Sequence, residues 1–330
     1  MRLGVIMAIV LGLALATAIA GYVGFGAVFA AIARVGWRGL AVLCAYSVVP
    51  FCLLGSAWYA LARQEPPRRW PVFIWSRIVR DSAGELLPFS HLGGFVVGAR
   101  AAIERGVTSS VAFSTTVVDV TTELIAQLGF TGLGLGLLAV RLGSRSSHGT
   151  LLLAAAVGLG LTAVGAATFI AIQRRGGGVV ERLATRFLPG AATETGRVVE
   201  AIDAIYRRPA RIAAAVGVHL AAWVASAAGV WLALRLVGIR IDIASILAIE
   251  SLVGAVRSAA FVAPMGIGVQ EATYALLGPI FGLGPEMSLA VSLLKRARDI
   301  AVGVPALLVW QGLEGARLVK AKLGPGGNAA

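Results

Sequence analysis

Hydrophobic residues in this chain run in long blocks instead of alternating with polar ones. A helix needs about 20 mostly apolar residues to cross the hydrocarbon core of a bilayer, and several blocks meet that length. Leu3 to Tyr22 is the first and Trp37 to Ala62 the second, which ends at the loop Arg63-Gln64-Glu65-Pro66-Pro67-Arg68-Arg69. Thr108 to Val140 holds no breaker except glycine; its first half is rich in Ser and Thr and its second half is apolar. Further spans are expected at Thr150 to Ile172 and at Pro209 to Val237. Ala18-Ile19-Ala20 resembles a signal-peptidase site, but a retained span is the better reading because the rest of the chain is polytopic anyway.

Two stretches depart from this pattern. Pro71 to Arg105 has helical periodicity yet carries Arg77, Arg80, Asp81, Glu85, His91, Arg100 and Glu104, with Pro88 and Gly93-Gly94 expected to break it midway. Ala244 to Val262 is apolar except for Glu250 and Arg257; it breaks at Pro264, Gly266 and Gly268 and returns through Gln270 and Glu271 to Phe281. Each is followed by a long half-polar helix. The first is Thr108 to Val140, with Asp119 and Glu123; the second is Pro285 to Leu318, with Lys295, Arg296, Arg298 and Asp299.

The order span, broken hairpin, half-polar helix therefore occurs twice, at 37–140 and at 209–318. Gly106 to Ser114 aligns with Gly284 to Ser292 without a gap. By span parity the first hairpin is entered from the cytoplasm and the second from outside. The expected fold is all-α and polytopic, an inverted-topology repeat with two re-entrant broken helical hairpins, a pattern found in secondary transporters. Residues 1–330 form one transmembrane domain. Residues 1–172 are its N-terminal half, 173–208 a basic cytoplasmic loop with an amphipathic piece near Val179–Phe187, and 319–330 a frayed tail.

Composition agrees with this reading and narrows it. The hydrophobic fraction is 58% against 14% charged, which a soluble globular enzyme or a disordered chain could not carry. The 29 Lys and Arg outnumber the 16 Asp and Glu by 13. Basic loops facing an anionic leaflet explain that excess without nucleic acid. The densest basic clusters are the 63–69 loop, the 173–208 loop and the Arg317/Lys320/Lys322 tail. They place both termini in the cytoplasm. Cys44 and Cys52 lie eight apart in one apolar run, about 12 Å along a helix, too far for a disulfide.

A charge inside a bilayer costs at least about 2.5 kcal/mol, so the clusters at the two breaks are the candidate site. Arg77/Asp81, Asp81/Glu85 and Asp119/Glu123 are i,i+4 pairs that share helix faces. Arginines suit a phosphate because the guanidinium fork meets two oxygens. A helix restarting after a Pro/Gly break aims free N–H groups at an anion. His91, Asp119, Glu123 and Asp299 are candidates for proton carriage or ion pairing. The structural alternative is that Arg80–Glu85, Arg257–Glu271 and Lys295–Asp299 only pair internally. Gly129, Gly132, Gly134 and Gly136 would allow close helix packing, and most tryptophans lie near span ends as interface anchors. No metal-ligand spacing, phosphate loop or nucleophile elbow is present, and neither a metal nor a cofactor is expected.

Arg80 to Gly94 (RDSAGELLPFSHLGG), followed by the helix with Asp119 and Glu123, resembles the flippase-like transmembrane family of lysylphosphatidylglycerol synthases. Ala263 to Glu271 (APMGIGVQE), then Leu294 to Arg298, fits the same family's second signature. The resemblance covers nearly the whole chain and is closest to the hopanoid-biosynthesis-associated HpnL branch. It implies two re-entrant hairpins and movement of a lipid across a bacterial inner membrane. It also carries over Arg80, Glu85, Pro88, Gly93 and Gly94, and Pro264, Gly266, Gly268, Glu271 and Arg296, as site residues. The synthases' aminoacyl-transfer domain would follow this region, and no such domain is expected before Ala330. Gly84-Glu85 stands where the family more often has Asn. The expected function is a flippase or transporter for a polar or isoprenoid-derived lipid such as a hopanoid, without enzymatic activity. Its partners would be membrane lipids and, further, hopanoid or lipid biosynthesis enzymes. Two alternatives are a membrane enzyme acting on lipid headgroups with Asp119 and Glu123 as acid and base, and a scaffold for biosynthetic enzymes docked through the 173–208 loop.

Overall fold

A computed structural model describes residues 21–62, 64–87, 90–142, 192–259 and 266–322, with a few isolated positions before 19 and between 149 and 171. Most of the first span, nearly all of Thr150–Ile172, the Val179–Phe187 piece, Pro88, Pro264, His148 and the 323–330 tail lie outside the described residues, as does the side chain of His91. The described residues are helical with no strand. Among the described residues three stretches are long and apolar enough to cross a membrane: Phe25–Leu61, Ser109–Arg141 and Pro209–Leu236, with mean hydropathies of 2.0, 1.6 and 1.6.

Helix α1 (Phe25–Tyr46) kinks at Gly36, whose φ of 55° only glycine adopts readily. The kink falls one residue before Trp37, where the second span was expected to begin. A single turn residue, Ser47, separates α1 from α2 (Val48–Leu61). After the loop, α3 (Trp70–Leu86) starts with proline in its first turn and stops at Leu87. Leu87 is extended (φ −94°, ψ 142°), as a residue preceding proline prefers. Helix α4 (Ser90–Glu104) folds back along α3. The two arms have 17 and 15 residues, about 25 and 22 Å, so neither equals a full span.

This corrects one expected feature. Helix α3 ends at Leu86 and α4 starts at Ser90, so Gly93 and Gly94 lie inside α4. Gly94 and Gly98 let α4 pack closely on α3. A Cβ on Gly94 would sit 2.6 Å from the Arg80 carbonyl oxygen, and one on Gly98 would sit 2.6 Å from the Arg80 Cβ.

Helix α5 (Ser109–Leu142) follows, then α6 (Ala192–Tyr206) within the expected basic loop. Far from lying free, α6 packs Ile202 and Ile205 on Leu61, Val118 and Ala215. Helix α7 (Pro209–Leu236) lies against α2 and α5. Helix α8 (Ile243–Ala259) lies against α5; α9 (Val269–Leu277) and a 3-10 turn (Pro279–Phe281) then lead to α10 (Pro285–Lys322). The largest core joins Phe130 and Leu138 of α5, Val230 and Leu234 of α7, and Ile246, Ile249 and Val253 of α8 to Tyr274 and Leu277 of α9. A second core holds Trp58, Phe73, Ala99 and Ala102. Trp58 is fully buried and donates to Thr115 Oγ1 at 2.9 Å, so it is a packing residue and no interface anchor.

The loops that open α5 and α10 share one hydrogen-bond pattern. Arg105 N→Ala102 O, Gly106 N→Ile103 O and Val107 N→Ala102 O recur as Phe281 N→Gly278 O, Gly282 N→Pro279 O and Leu283 N→Gly278 O, each shifted by 176 residues. Gly106 and Gly282 have φ of 91° and 85°, and each precedes a buried aliphatic side chain. These two loops match at a shift of 176 residues, in place of the 178 implied by aligning Gly106–Ser114 with Gly284–Ser292. Helices α3 and α8 match as well: both have 17 residues and they begin 173 apart.

Candidate functional site

Helix α3 turns Arg77, Arg80 and Asp81 toward α5, which presents Asp119 and Glu123 from successive turns of one face. Arg77 Nη1 donates to Asp119 Oδ2 at 3.0 Å and Nη2 to Glu123 Oε1 at 2.6 Å. Arg77 Nε donates to Asp81 Oδ2 at 2.8 Å. Arg80 Nη1 reaches the same Asp119 oxygen at 2.5 Å, and its Nη2 reaches Glu123 Oε2 at 2.7 Å. The Arg80 guanidinium also sits 4.6 Å from the ring centre of Phe95 and 5.9 Å from that of Trp58, a cation–π setting. From α7, His219 Nε2 lies 3.0 Å from Asp119 Oδ1, with both side chains wholly buried.

A second cluster joins α8, α9 and α10. Lys295 Nζ donates to Glu250 Oε2 at 2.5 Å and to the Tyr274 hydroxyl oxygen at 3.1 Å, while Tyr274 donates to Glu250. Glu271 stands in the first turn of α9 and accepts the Gly268 amide at 2.8 Å, the backbone half of a capping box. Arg296 Nε donates to Glu271 Oε1 at 2.6 Å, and Arg296 Nη2 to the Gly266 carbonyl at 3.0 Å. Gly266 and Gly268 hold the break open with φ of 56° and 82°. Arg296 thus ties that break to α10.

The clusters meet where α3 ends. Arg257 Nη2 donates to Glu85 Oε1 and Oε2 at 2.7 and 2.6 Å. Both side chains are about a quarter exposed, at 22% and 25%. Arg298 and Asp299 pair at 2.6 Å and are similarly half-buried. Beside Lys295 and Arg298 lies a small cleft of about 10 Å³, lined also by Tyr46, Ser47 and Ser226.

The pairings differ from those read along the chain. Arg80 reaches Asp119 and Glu123, Arg257 reaches Glu85 and Lys295 reaches Glu250, where Arg80–Glu85, Arg257–Glu271 and Lys295–Asp299 had been considered. Local spacing favoured neighbours, whereas the tertiary fold pairs charges across helices. Glu250, Tyr274 and His219 were not counted as site residues. The signal for His219 was present: it is the only ionisable residue between Arg211 and Arg235 on an otherwise apolar helix. Among the described residues no group of three or more His, Cys, Asp or Glu side chains is set to hold a metal.

One relationship orders the whole. Arg77 and Glu250 lie 173 residues apart, at matching positions of α3 and α8. Their partners Asp119 and Lys295 lie 176 apart, at matching positions of α5 and α10. The same contact is made twice with its charges exchanged.

A helical, apolar chain with charged clusters buried between its helices is a multi-pass membrane protein. Residues 7–306 match the family described as the lysylphosphatidylglycerol synthase TM region, and the chain belongs to that family. The family links it to lipid handling. No curated protein and no solved structure matches it.

Proposed function

We propose that this protein moves a polar or isoprenoid-derived lipid, with hopanoids as first candidates, between the leaflets of a bacterial inner membrane. The observation that carries this reading is the Arg77–Asp119 and Glu250–Lys295 equivalence. Two copies of one unit, each a broken hairpin clasped to a long helix, are joined through Glu85 and Arg257. With the spans between them reversing direction, they form an inverted repeat of re-entrant hairpins, the architecture that supports alternating access.

In this reading the half-exposed charges are the working ones. Arg257, Arg298 and Arg296 offer guanidinium forks to a headgroup phosphate, while Glu85 and Asp299 receive an amine or hydroxyl. Arg77, Arg80 and Asp119 are buried and Glu123 nearly so; they pair with one another and clasp the first unit. The acyl or polycyclic part of the lipid stays in the bilayer, and the two units rock about the Glu85–Arg257 junction. Both termini face the cytoplasm, following the basic loops. An enzymatic reading has less support, because Asp119 and Glu123 each accept from two arginines and neither is available as a general base.

Reconstitution into liposomes tests the proposal. Labelled hopanoid or phospholipid should change leaflets faster than in protein-free vesicles, and Arg257→Ala should slow that movement at least tenfold. Equal rates for the variant and wild type would reject the site. An unaltered lipid profile by mass spectrometry would separate movement from catalysis.

A further inference from the structure

The two clusters differ in their charge count. In the second, Glu85, Glu250, Glu271 and Asp299 face Arg257, Lys295, Arg296 and Arg298, four against four. In the first, Asp81, Asp119 and Glu123 face only Arg77 and Arg80. Among the described residues the first cluster therefore carries one surplus negative charge unless it also holds a proton. An uncompensated charge at membrane depth is expensive, so the proton has a physical reason to be there.

His219 is placed to carry it. Its ring is fully buried, Nε2 lies 3.0 Å from Asp119 Oδ1, and Nδ1 has no hydrogen-bond partner. The charges around the ring come from α5 and α3: Asp119 on the ring nitrogen, Glu123 one turn along, and Arg77 and Arg80 on both carboxylates. Among the described residues no ionisable group on α1, α2, α6 or α8, which also pack on α7, makes a hydrogen bond or ion pair with it.

We propose that the first cluster is a proton-binding site, that His219 carries the proton as imidazolium, and that lipid movement is coupled to its uptake and release. The coupling half rests on the transport reading above; the proton site does not. Release of the proton leaves Asp119 short of one positive neighbour. The clasp between α3, α5 and α7 then loosens, which links protonation to the packing of the first hairpin. Asp81, the most exposed member with 24% of its side chain accessible, supplies the surplus charge.

The protonation state is read by nitrogen NMR on the full-length protein in lipid nanodiscs, with labelled histidine. The His219 signal is the one absent from His219→Gln; should that variant fail to fold, His91→Gln with His148→Gln leaves His219 as the only histidine. The expected result is imidazolium at pH 7 in wild type and neutral imidazole at pH 7 in Asp81→Asn, where the charges balance without it. A neutral ring in both proteins, or an imidazolium in both, overturns the proton site. In liposomes, a one-unit pH step should bias labelled lipid between leaflets up to tenfold, the limit for one proton per lipid. If lipid moves but neither its rate nor its sidedness responds to the step, coupling is wrong and transport stands. If no lipid moves at any pH, transport itself fails, the coupling falls with it, and the NMR result alone decides the proton site.

Discussion

Glu85 and Arg257 meet at 2.6 Å across 172 residues of sequence and join the end of α3 to the end of α8. Both are about a quarter exposed, so breaking the pair should cost less than the roughly 3–5 kcal/mol of a fully buried one. Arg257→Ala and Glu85→Ala should each lower stability by about 1–2 kcal/mol, yet slow lipid movement at least tenfold. The exchanged double variant, Glu85→Arg with Arg257→Glu, should regain most of the stability and little of the transport. Unfolding curves together with a liposome assay measure both quantities. Full recovery of transport in the exchanged variant would make the pair a structural strap alone.

The Glu250–Lys295 pair invites the opposite expectation. Both residues are over 90% buried, and Lys295 also holds the Tyr274 hydroxyl. Lys295→Met leaves a buried carboxylate with only Tyr274 as partner and should cost about 3–5 kcal/mol. Adding Glu250→Gln removes the stranded charge and should return most of that loss, because a hydrogen-bonded amide needs no counter-charge. Denaturant midpoints in lipid–detergent micelles test this; equal midpoints for the single and double variants would contradict it.

The helices were legible because apolar runs and prolines speak locally. The spans read at Thr108–Val140 and Pro209–Val237 differ from α5 and α7 by no more than two residues at either end. The likeness of the loops before α5 and α10 was legible only in outline: similar small residues let Gly106 slide onto Gly284, whereas the shared hydrogen bonds and positive φ match Gly106 with Gly282. The pairing of charges was hidden for a related reason. Spacing along a helix shows which residues share a face, but not that Arg77 of α3 reaches across to Asp119 of α5. His219 was hidden most deeply, because a single histidine in an apolar helix reads as core until its neighbour is known.

Asp242 caps α8 in the loop after α7. Its carboxylate accepts the Ser245 amide at 2.8 Å and the Ser245 hydroxyl at 2.7 Å, and these bonds hold it below the usual aspartate range. A depressed carboxylate stabilises the fold above its unfolded pKa of about 3.9 and loses that contribution as pH falls through the lower folded value. Asp242→Ala should cost about 1 kcal/mol at pH 7. Asp242→Asn should keep most of the cap and remove the acid sensitivity below about pH 4. Unfolding measured at pH 7 and pH 3 checks both variants.

The glycines of α5 separate by what each one faces. A Cβ on Gly134 would collide with the Ser251 hydroxyl of α8, whereas Gly129, Gly132 and Gly136 have nothing within 4 Å. Of the four glycines expected to allow close packing, only Gly134 does so among the described residues. Gly134→Ala should therefore force Ser251 or α8 to shift and cost about 1–3 kcal/mol. Gly132→Ala should be neutral or stabilising by up to about 1 kcal/mol, since alanine is the better helix former. Because α8 carries Glu250 and Arg257, a displaced α8 should also slow lipid movement in Gly134→Ala, while Gly132→Ala keeps the wild-type rate. Equal midpoints and equal rates for the two variants would mean that α5 and α8 do not approach as closely as the Gly134–Ser251 contact requires.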